Sequence, residues 1–246
     1  MCWSRTPGST HTLRQGLGME RANVDISVTE ISVNEVEPWL LNRHYARRLC
    51  PISYAFGAWQ DSKLQGVVTY GTPASSSLRS GVCGEAWESS VVELNRLCCN
   101  SIKNLASILV GRSLSMLPKP LIVVSYADLQ QGHVGYVYQA TNFLYTGLSA
   151  KRTDWAIKGL EHLHGATIAD ESRGKENRAA WMREKYGDAF YLKERSRKHR
   201  YIYFCGNNKQ KKQMRNALKY TVEPYPKGET KRYDASSVIE TQMRLL

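Results

Sequence analysis

Asp128 closes the stretch that begins with the apolar run Leu121–Ser125, and the Tyr126 phenol sits two residues before it. A run of that kind, rich in β-branched residues and without polar alternation, reads as a strand buried on both faces under helices. In open α/β sheets, ligands gather outside the carboxyl ends of the strands. Asp128 is therefore the first candidate for a general base, with Tyr126 placed to donate to developing charge. An aspartate ending a strand is also an ordinary turn or cap residue. His133, Tyr136, Tyr138 and Tyr145 follow closely enough to line the same cleft, most of them as packing residues. Arg96 ends a second apolar strand, expected beside the first, where a charge is costly unless paired. Asp128 or an anionic group of a substrate could pair with it, and Ser107, on the next helix, could face the same place. His44 and Tyr45 end the first long helix within Asn42–Arg48. There His44 could shuttle a proton or bind a metal, while Arg43, Arg47 and Arg48 could simply complement the helix dipole. His162 and His164 flank Leu163, but no HExxH or two-His-one-carboxylate spacing is readable, so spacing alone points to no metal. A P-loop and a GxGxxG are both absent, which removes the commonest nucleotide-binding readings.

The second chemical signal is charge. Lys and Arg number 34 against 22 Asp and Glu, a net charge of +12 over 246 residues. An excess of this size points to a polyanionic partner, with nucleic acid ahead of a membrane surface. Between Lys193 and Lys219 there are ten Lys and Arg against one acid, Glu194, interleaved with Tyr201, Tyr203 and Phe204. A solvated surface hairpin and helix is the plain reading of such a run. The aromatic interleaving favours phosphate contacts by Arg195, Arg197, Lys198, Arg200, Lys211 and Lys212, which would position a polyanion rather than read its sequence. The six cysteines have neither zinc nor disulfide spacing, which fits reduced thiols in cytoplasm. No apolar run is long enough to cross a membrane, and the first 20 residues lack the apolar centre of a signal peptide.

These residues need elements to hold them. Residues 1–23 read as a flexible tail, 24–205 as the catalytic domain, and 206–246 as a basic C-terminal extension whose last 25 residues are partly ordered. Val24–Val33 alternates as a first strand, and Asn34 caps a helix that runs to Arg48. Ser53–Trp59 and Leu64–Tyr70 form a strand pair, and Gly71–Gly84 reads as a Ser/Gly/Pro loop. Ser90–Leu97 is a strand, Asn104–Leu117 a helix, and Leu121–Ser125 the next strand, the βαβ order of a sheet with parallel neighbours. Val134–Tyr145 is an aromatic-rich segment with a helix stop at Gly147. Glu176–Lys185 reads as helix and Tyr201–Cys205 as a late strand. The fold class is α/β (α+β), a mixed sheet flanked by helices.

Three stretches, SYADLQQGHVGYVYQATNFLYTG, ELNRL and NRHYARRLCPISYAFG, resemble the Mom family of phage DNA-modification proteins, over essentially the full length. That resemblance implies a fold, a reaction and a set of site residues. The family looks like a divergent branch of the GNAT acyltransferases, in which the fourth and fifth strands splay and the donor enters the gap. By position these strands are Ser90–Leu97 and Leu121–Ser125. The reaction implied converts the exocyclic amine of adenine in double-stranded DNA to a carbamoylmethyl amine and shields phage DNA from host restriction, in the host cytoplasm. On the same resemblance, Asp128, Tyr126, Arg96, Ser107, His44 and Tyr45 would carry the chemistry, and base flipping would suit the many tyrosines. The group donor is unknown. Donor binding would fall at Ser101, Lys103 and Asn104, where main-chain amides at a helix N-terminus could hold an anion. The loop Cys99–Ala106 lacks the glycines of the GNAT pyrophosphate loop, which puts ordinary acetyl-CoA binding in doubt, and an acetyl donor would give a different product. Iron is associated with the family, and His44, Tyr45 and Asp128 are the ligand-type residues. A homodimer would place two basic surfaces on DNA. A conventional N-acetyltransferase and a non-catalytic DNA-binding protein are the alternatives.

Overall fold

In the computed structural model of the chain, the run from Leu121 lies inside a seven-stranded mixed sheet. Residues 25–73, 75–129, 132–163 and 165–228 are described; the N-terminal stretch 1–23 and residues 229–246 lie outside them. The first strands form an antiparallel meander: β1 (Ser27–Glu30), β2 (Tyr54–Gln60), β3 (Lys63–Gly71) and β4 (Val91–Cys99). A two-residue turn at Asp61 and Ser62, both at positive φ, joins β2 to β3, matching the twist of a tight hairpin. Helix α3 (Leu105–Met116) then crosses over to β5 (Leu121–Asp128), which runs parallel to β4. On the far side of β5 lies β9 (Lys198–Cys205), and β6 (Leu144–Leu148) forms the edge.

Strand alternation gives the sheet two apolar faces. Val92, Leu94 and Val123 pack under α3 through Leu105, Leu109 and Val110. Val91, Ile122, Val124 and Ile202 face α2 (Ser76–Cys83) and α7 (Asn208–Ala217), through Val82, Cys83 and Met214. Helix α1 (Val33–Asn42) covers Ala55 and Val67 with Val36, Trp39 and Leu40. Between β6 and β9 the chain builds a separate two-stranded sheet, β7 (Arg152–Ile157) and β8 (Phe190–Arg195). Helices α5 (Gly165–Asp170) and α6 (Arg178–Tyr186) close a small core there around Ile157, Ile168 and Met182.

The structure corrects several expectations. The first strand is shorter than Val24–Val33, and α1 starts after Ser32 rather than Asn34, with the Ser32 N–H donating to the Glu35 carboxylate at 2.8 Å. That helix ends at Asn42, so His44 and Tyr45 sit on a turn. The Ser/Gly/Pro stretch contains α2, capped by Ser75. The aromatic segment is divided between α4 (Tyr136–Ala140) and β6, parted at Asn142, whose φ is +62°. The basic run is not a surface hairpin: β8 pairs with β7, and β9 lies inside the large sheet between β5 and β6. Helix α7, which falls in the stretch read as an extension, buries Met214 completely in the main core. Beyond it, Glu223 N–H donates to the Tyr145 carbonyl and Tyr225 to the Phe143 carbonyl, covering the β6 edge.

One irregularity decides what faces the site. Thr69 pairs with Arg96 and Tyr70 with Leu94, so Asn95 is an extra residue on β4. A bulge of this kind re-aims the side chains after it. Residues 93 and 96 would point to opposite faces of a regular strand, and the bulge returns them to the same one. Asn95 is pinned: its amide donates to the Pro51 carbonyl at 2.7 Å and its oxygen accepts from Thr69 at 2.6 Å. Asn95→Leu removes these bonds and leaves the fully buried Thr69 hydroxyl only the Cys50 thiol, 3.8 Å away. Urea denaturation should show a loss of about 1–3 kcal/mol; an unchanged midpoint would show that the bulge does not depend on Asn95.

Candidate active site

The parallel β4–β5 ladder runs only from Val91–Ile122 to Leu94–Ser125. At its last rung the Ser125 hydroxyl donates to the Leu94 carbonyl at 3.1 Å. From there β4 continues along β3 to Cys99, while β5 continues along β9 to Asp128. The strands part, and a cavity of about 390 Å³ opens between them. It lies at the carboxyl ends of both strands, where unpaired main chain and side chains converge on one space.

Five of the six catalytic candidates line this cavity, His44, Tyr45, Arg96, Tyr126 and Asp128, together with His133, Tyr136, Tyr138 and Lys198. Asp128 forms an ion pair with Lys198 at 3.2 Å, across the β5–β9 register. The expected Arg96–Asp128 pair is thus replaced by one with Lys198. Arg96 donates through Nη1 to the Asn95 carbonyl at 2.7 Å, and its buried Nε has no partner among the described residues. Arg96 lines the cavity, and its guanidinium is a donor there for an anionic or carbonyl oxygen. The His44 Nδ1 accepts the Ala46 N–H at 3.1 Å, which assigns the proton of the neutral ring to Nε2. Burial, then the positive charge of Arg96 and the nearby His133, lower the His44 pKa to about 4. Tyr45 stacks on the His44 ring at 4.4 Å and is 57% exposed at the rim, where Tyr136 is 53% exposed. Burial pushes the Tyr126 and Tyr138 phenols up to about 12, so both remain hydrogen-bond donors near neutral pH.

The other candidates lie elsewhere. Ser107 donates to the Asn104 carbonyl at 2.9 Å and is not among the residues lining the cavity. Ser101, Lys103 and Asn104 are exposed in the loop before α3. There Ile102 N–H is taken by the Asn100 carbonyl and Leu105 N–H by the Ile102 carbonyl, and no glycine opens a phosphate cradle. Of the basic candidates, Arg197 bonds the Ser149 carbonyl at 2.7 Å, and Arg200 bonds Thr146 while lying 3.4 Å from the centre of the Tyr220 ring. Lys211 and Lys212 are exposed on α7. Arg195 ends β8 directly opposite Arg152 on β7. The positive charge of Arg195 is felt at Glu93, and that of Arg152 at Tyr126, which places the arginine pair beside the cavity.

The Mom protein family model matches residues 25–227. The chain belongs to this family. It is 30% identical over 210 residues to the methylcarbamoylase Mom of Escherichia phage Mu, covering 80% of this chain and 84% of the relative. Among solved structures it is similar to the ribosomal-protein-S18-alanine N-acetyltransferase from Escherichia coli, at 7% identity and a TM-score of 0.40. That match covers 74% of this chain and 95% of the other. A Bacillus subtilis acetyltransferase in complex with CoA gives 14% identity and a TM-score of 0.39, over 73% and 97% of the two chains. Within this Mom-family chain, the splayed β4–β5 pair with α3 between the strands agrees with the acyltransferase-like arrangement expected from sequence.

The iron associated with the family does not fit the donors present. Among the described residues no three His, Cys, Asp or Glu side chains gather to hold a metal. His44 has spent Nδ1 on Ala46, Asp128 is paired with Lys198, and burial holds the Tyr45 phenol above its ordinary pKa. Glu93, which sequence reasoning passed over, lines the cavity beside Arg96. Its signal was available: a carboxylate interrupting the apolar strand Val91–Leu94, the same anomaly that marked Arg96.

The His44 environment makes a testable statement about acid. Its folded pKa, about 4, lies below the ordinary 6.5, so its contribution to stability is full above about pH 6.5 and is lost as pH falls toward 4. Chemical denaturation across that window should show stability falling on acidification, and falling less in His44→Gln. An identical slope in the two proteins would contradict the assignment.

Proposed function

We propose that this chain attaches a carbamoylmethyl group to the exocyclic amine of adenine in double-stranded DNA. The observation that carries this reading is the convergence of Asp128, Arg96, Tyr126 and His44 at the β4–β5 gap of a Mom-family chain. In this reaction the adenine amine forms an N–CH₂ bond as the bond from that methylene to its leaving group breaks. The leaving group takes the electron pair, and Asp128, held by Lys198, accepts the amine proton. The donor is a molecule with an electrophilic methylene. The Arg96 guanidinium and the Tyr126 hydroxyl are the donors offered to its carbonyl or leaving group. Neutral His44 buttresses Tyr45 by stacking.

An amine paired inside a duplex is out of reach, so the target adenine leaves the stack. The exposed rings of Tyr45 and Tyr136 at the mouth supply surfaces on which it can slide and rest. Arg152 and Arg195 face each other across the β7–β8 ladder, with Asp154 paired to Arg195 at 3.8 Å, and this leaves an excess of positive charge beside the cavity. A DNA phosphate beside the flipped nucleotide meets that charge, with the exposed α7 lysines as further contacts. The modified adenine presents an altered major-groove edge to restriction enzymes that read it. The reaction takes place in the host cytoplasm, where phage DNA is exposed to those enzymes.

Nucleosides from DNA of cells expressing the chain should include a deoxyadenosine heavier by one carbamoylmethyl group by mass spectrometry. Asp128→Asn should yield none while still binding DNA; normal modification in that variant would remove Asp128 from its role. Arg152→Ala and Arg195→Ala should each weaken binding to duplexes of any sequence and lower the slope of log affinity against log salt by about 1. A slope unchanged in both would place the phosphate contacts elsewhere.

A further inference from the structure

Glu93 is the second carboxyl group of the cavity and is placed unlike the first. Asp128 has Lys198 at 3.2 Å, whereas the Glu93 carboxyl has no hydrogen-bond or ion-pair partner among the described residues. It opposes Val124 in the parallel ladder, one residue short of where the strands part. The Asn95 bulge brings Arg96 to its side of β4. The groups that face it come from every neighbouring element. They are Arg96 on β4, Tyr126 on β5, Lys198 on β9, Arg195 on β8, Tyr138 on α4 and Cys50 before β2. Burial outweighs the three cations and raises the proton affinity of the carboxyl above its ordinary value.

A neutral carboxylic acid carries an O–H donor and a C=O acceptor side by side. Adenine offers the complement on either of two edges, an N6–H donor beside a ring nitrogen acceptor. Guanine and thymine present a carbonyl where adenine has its amine, and cytosine shares the pattern on a smaller ring. We propose that Glu93 reads the flipped base as a neutral acid. Its carbonyl oxygen accepts one N6–H, and its hydroxyl donates to the adjacent ring nitrogen. This rests on the reading of the cavity as the adenine site. It divides two carboxyls between two tasks: the one with a lysine removes a proton, and the one without a partner holds its proton and confers specificity. Glu93 then works in the form opposite to that of a general base.

The glutamine variant separates these roles, because an amide keeps one donor and one acceptor in the same place and cannot titrate. Modification should be followed by nucleoside mass spectrometry from acidic to alkaline pH in wild type, Glu93→Ala and Glu93→Gln. Thermal melts of each would confirm folding. Glu93→Ala should lose about ten- to a hundredfold, the worth of one bidentate base contact. Glu93→Gln should recover most of that loss. Wild-type activity should decline as pH rises through the elevated pKa of Glu93, and Glu93→Gln should lack that decline. A glutamine variant as inactive as the alanine one would overturn the proposal in favour of an ionised base at Glu93. An alanine variant as active as wild type would overturn it as well. Wild-type DNA without modified adenine would instead overturn the reading of the cavity, and this inference with it.

Discussion

The parting of β4 from β5 after Leu94 and Ser125 is the constraint on which the rest of the structure depends. Two parallel strands buried between helices would ordinarily pair along their whole length, since each unpaired buried main-chain group carries a cost. Here each strand keeps one of its two ladders beyond the fork, β4 with β3 and β5 with β9, while the main-chain groups of the other edge face the cavity. The Ser125 hydroxyl on the Leu94 carbonyl marks the last shared contact, and Asn95, bonded to Pro51 and Thr69, holds the adjoining bulge. Gly71 belongs to the same junction: a Cβ there would lie 1.9 Å from the Pro51 carbonyl oxygen.

Charge is distributed by that architecture. A large share of the basic run is consumed inside the molecule, because β9 lies between β5 and β6 and its cations reach the ends of those strands. Lys198 meets Asp128, Arg200 meets Thr146 and Tyr220, and Arg197 meets the carbonyls after β6. The cations of α7 face outward, as do Lys193 and Lys219, and Arg152 with Arg195, the latter paired with Asp154, stands at the base of the β7–β8 unit. That unit is inserted where β6 and β9 reach the cavity end of the sheet, so it flanks the site. The two cavity carboxyls thus differ in environment although neighbouring strands carry them: Asp128 is ion-paired with Lys198, and Glu93 has no ion pair among the described residues.

Much of this was legible in the sequence where a local rule governs it. The run at Leu121 marked a central strand, Pro118 and Pro120 bounded it, and the carboxylate at its end marked the site. His44, Tyr45, Arg96 and Tyr126 joined Asp128 as expected. What escaped depends on tertiary context. Helix α2 has the composition of a loop and is held by Val82 and Cys83 beneath the sheet. The aromatic segment after His133 looks continuous, but a left-handed residue at Asn142 divides it. Glu93 and Arg96 share a wall only because of a bulge, which strict alternation along β4 cannot anticipate. Ser107 failed for a simpler reason: its hydroxyl is turned back on its own helix, to the Asn104 carbonyl.

The most direct test of the central claim, that the β4–β5 gap receives a base extruded from DNA, is a cross-linking map. A duplex carrying a photoreactive adenine would be irradiated with the full chain, and the adducted peptides sequenced by mass spectrometry. Adducts on Tyr45, on Tyr126 or within residues 132–138 are the expected result. Adducts confined to α7 or to the β7–β8 unit would mean that DNA binds without delivering its base to the cavity, and would contradict the claim.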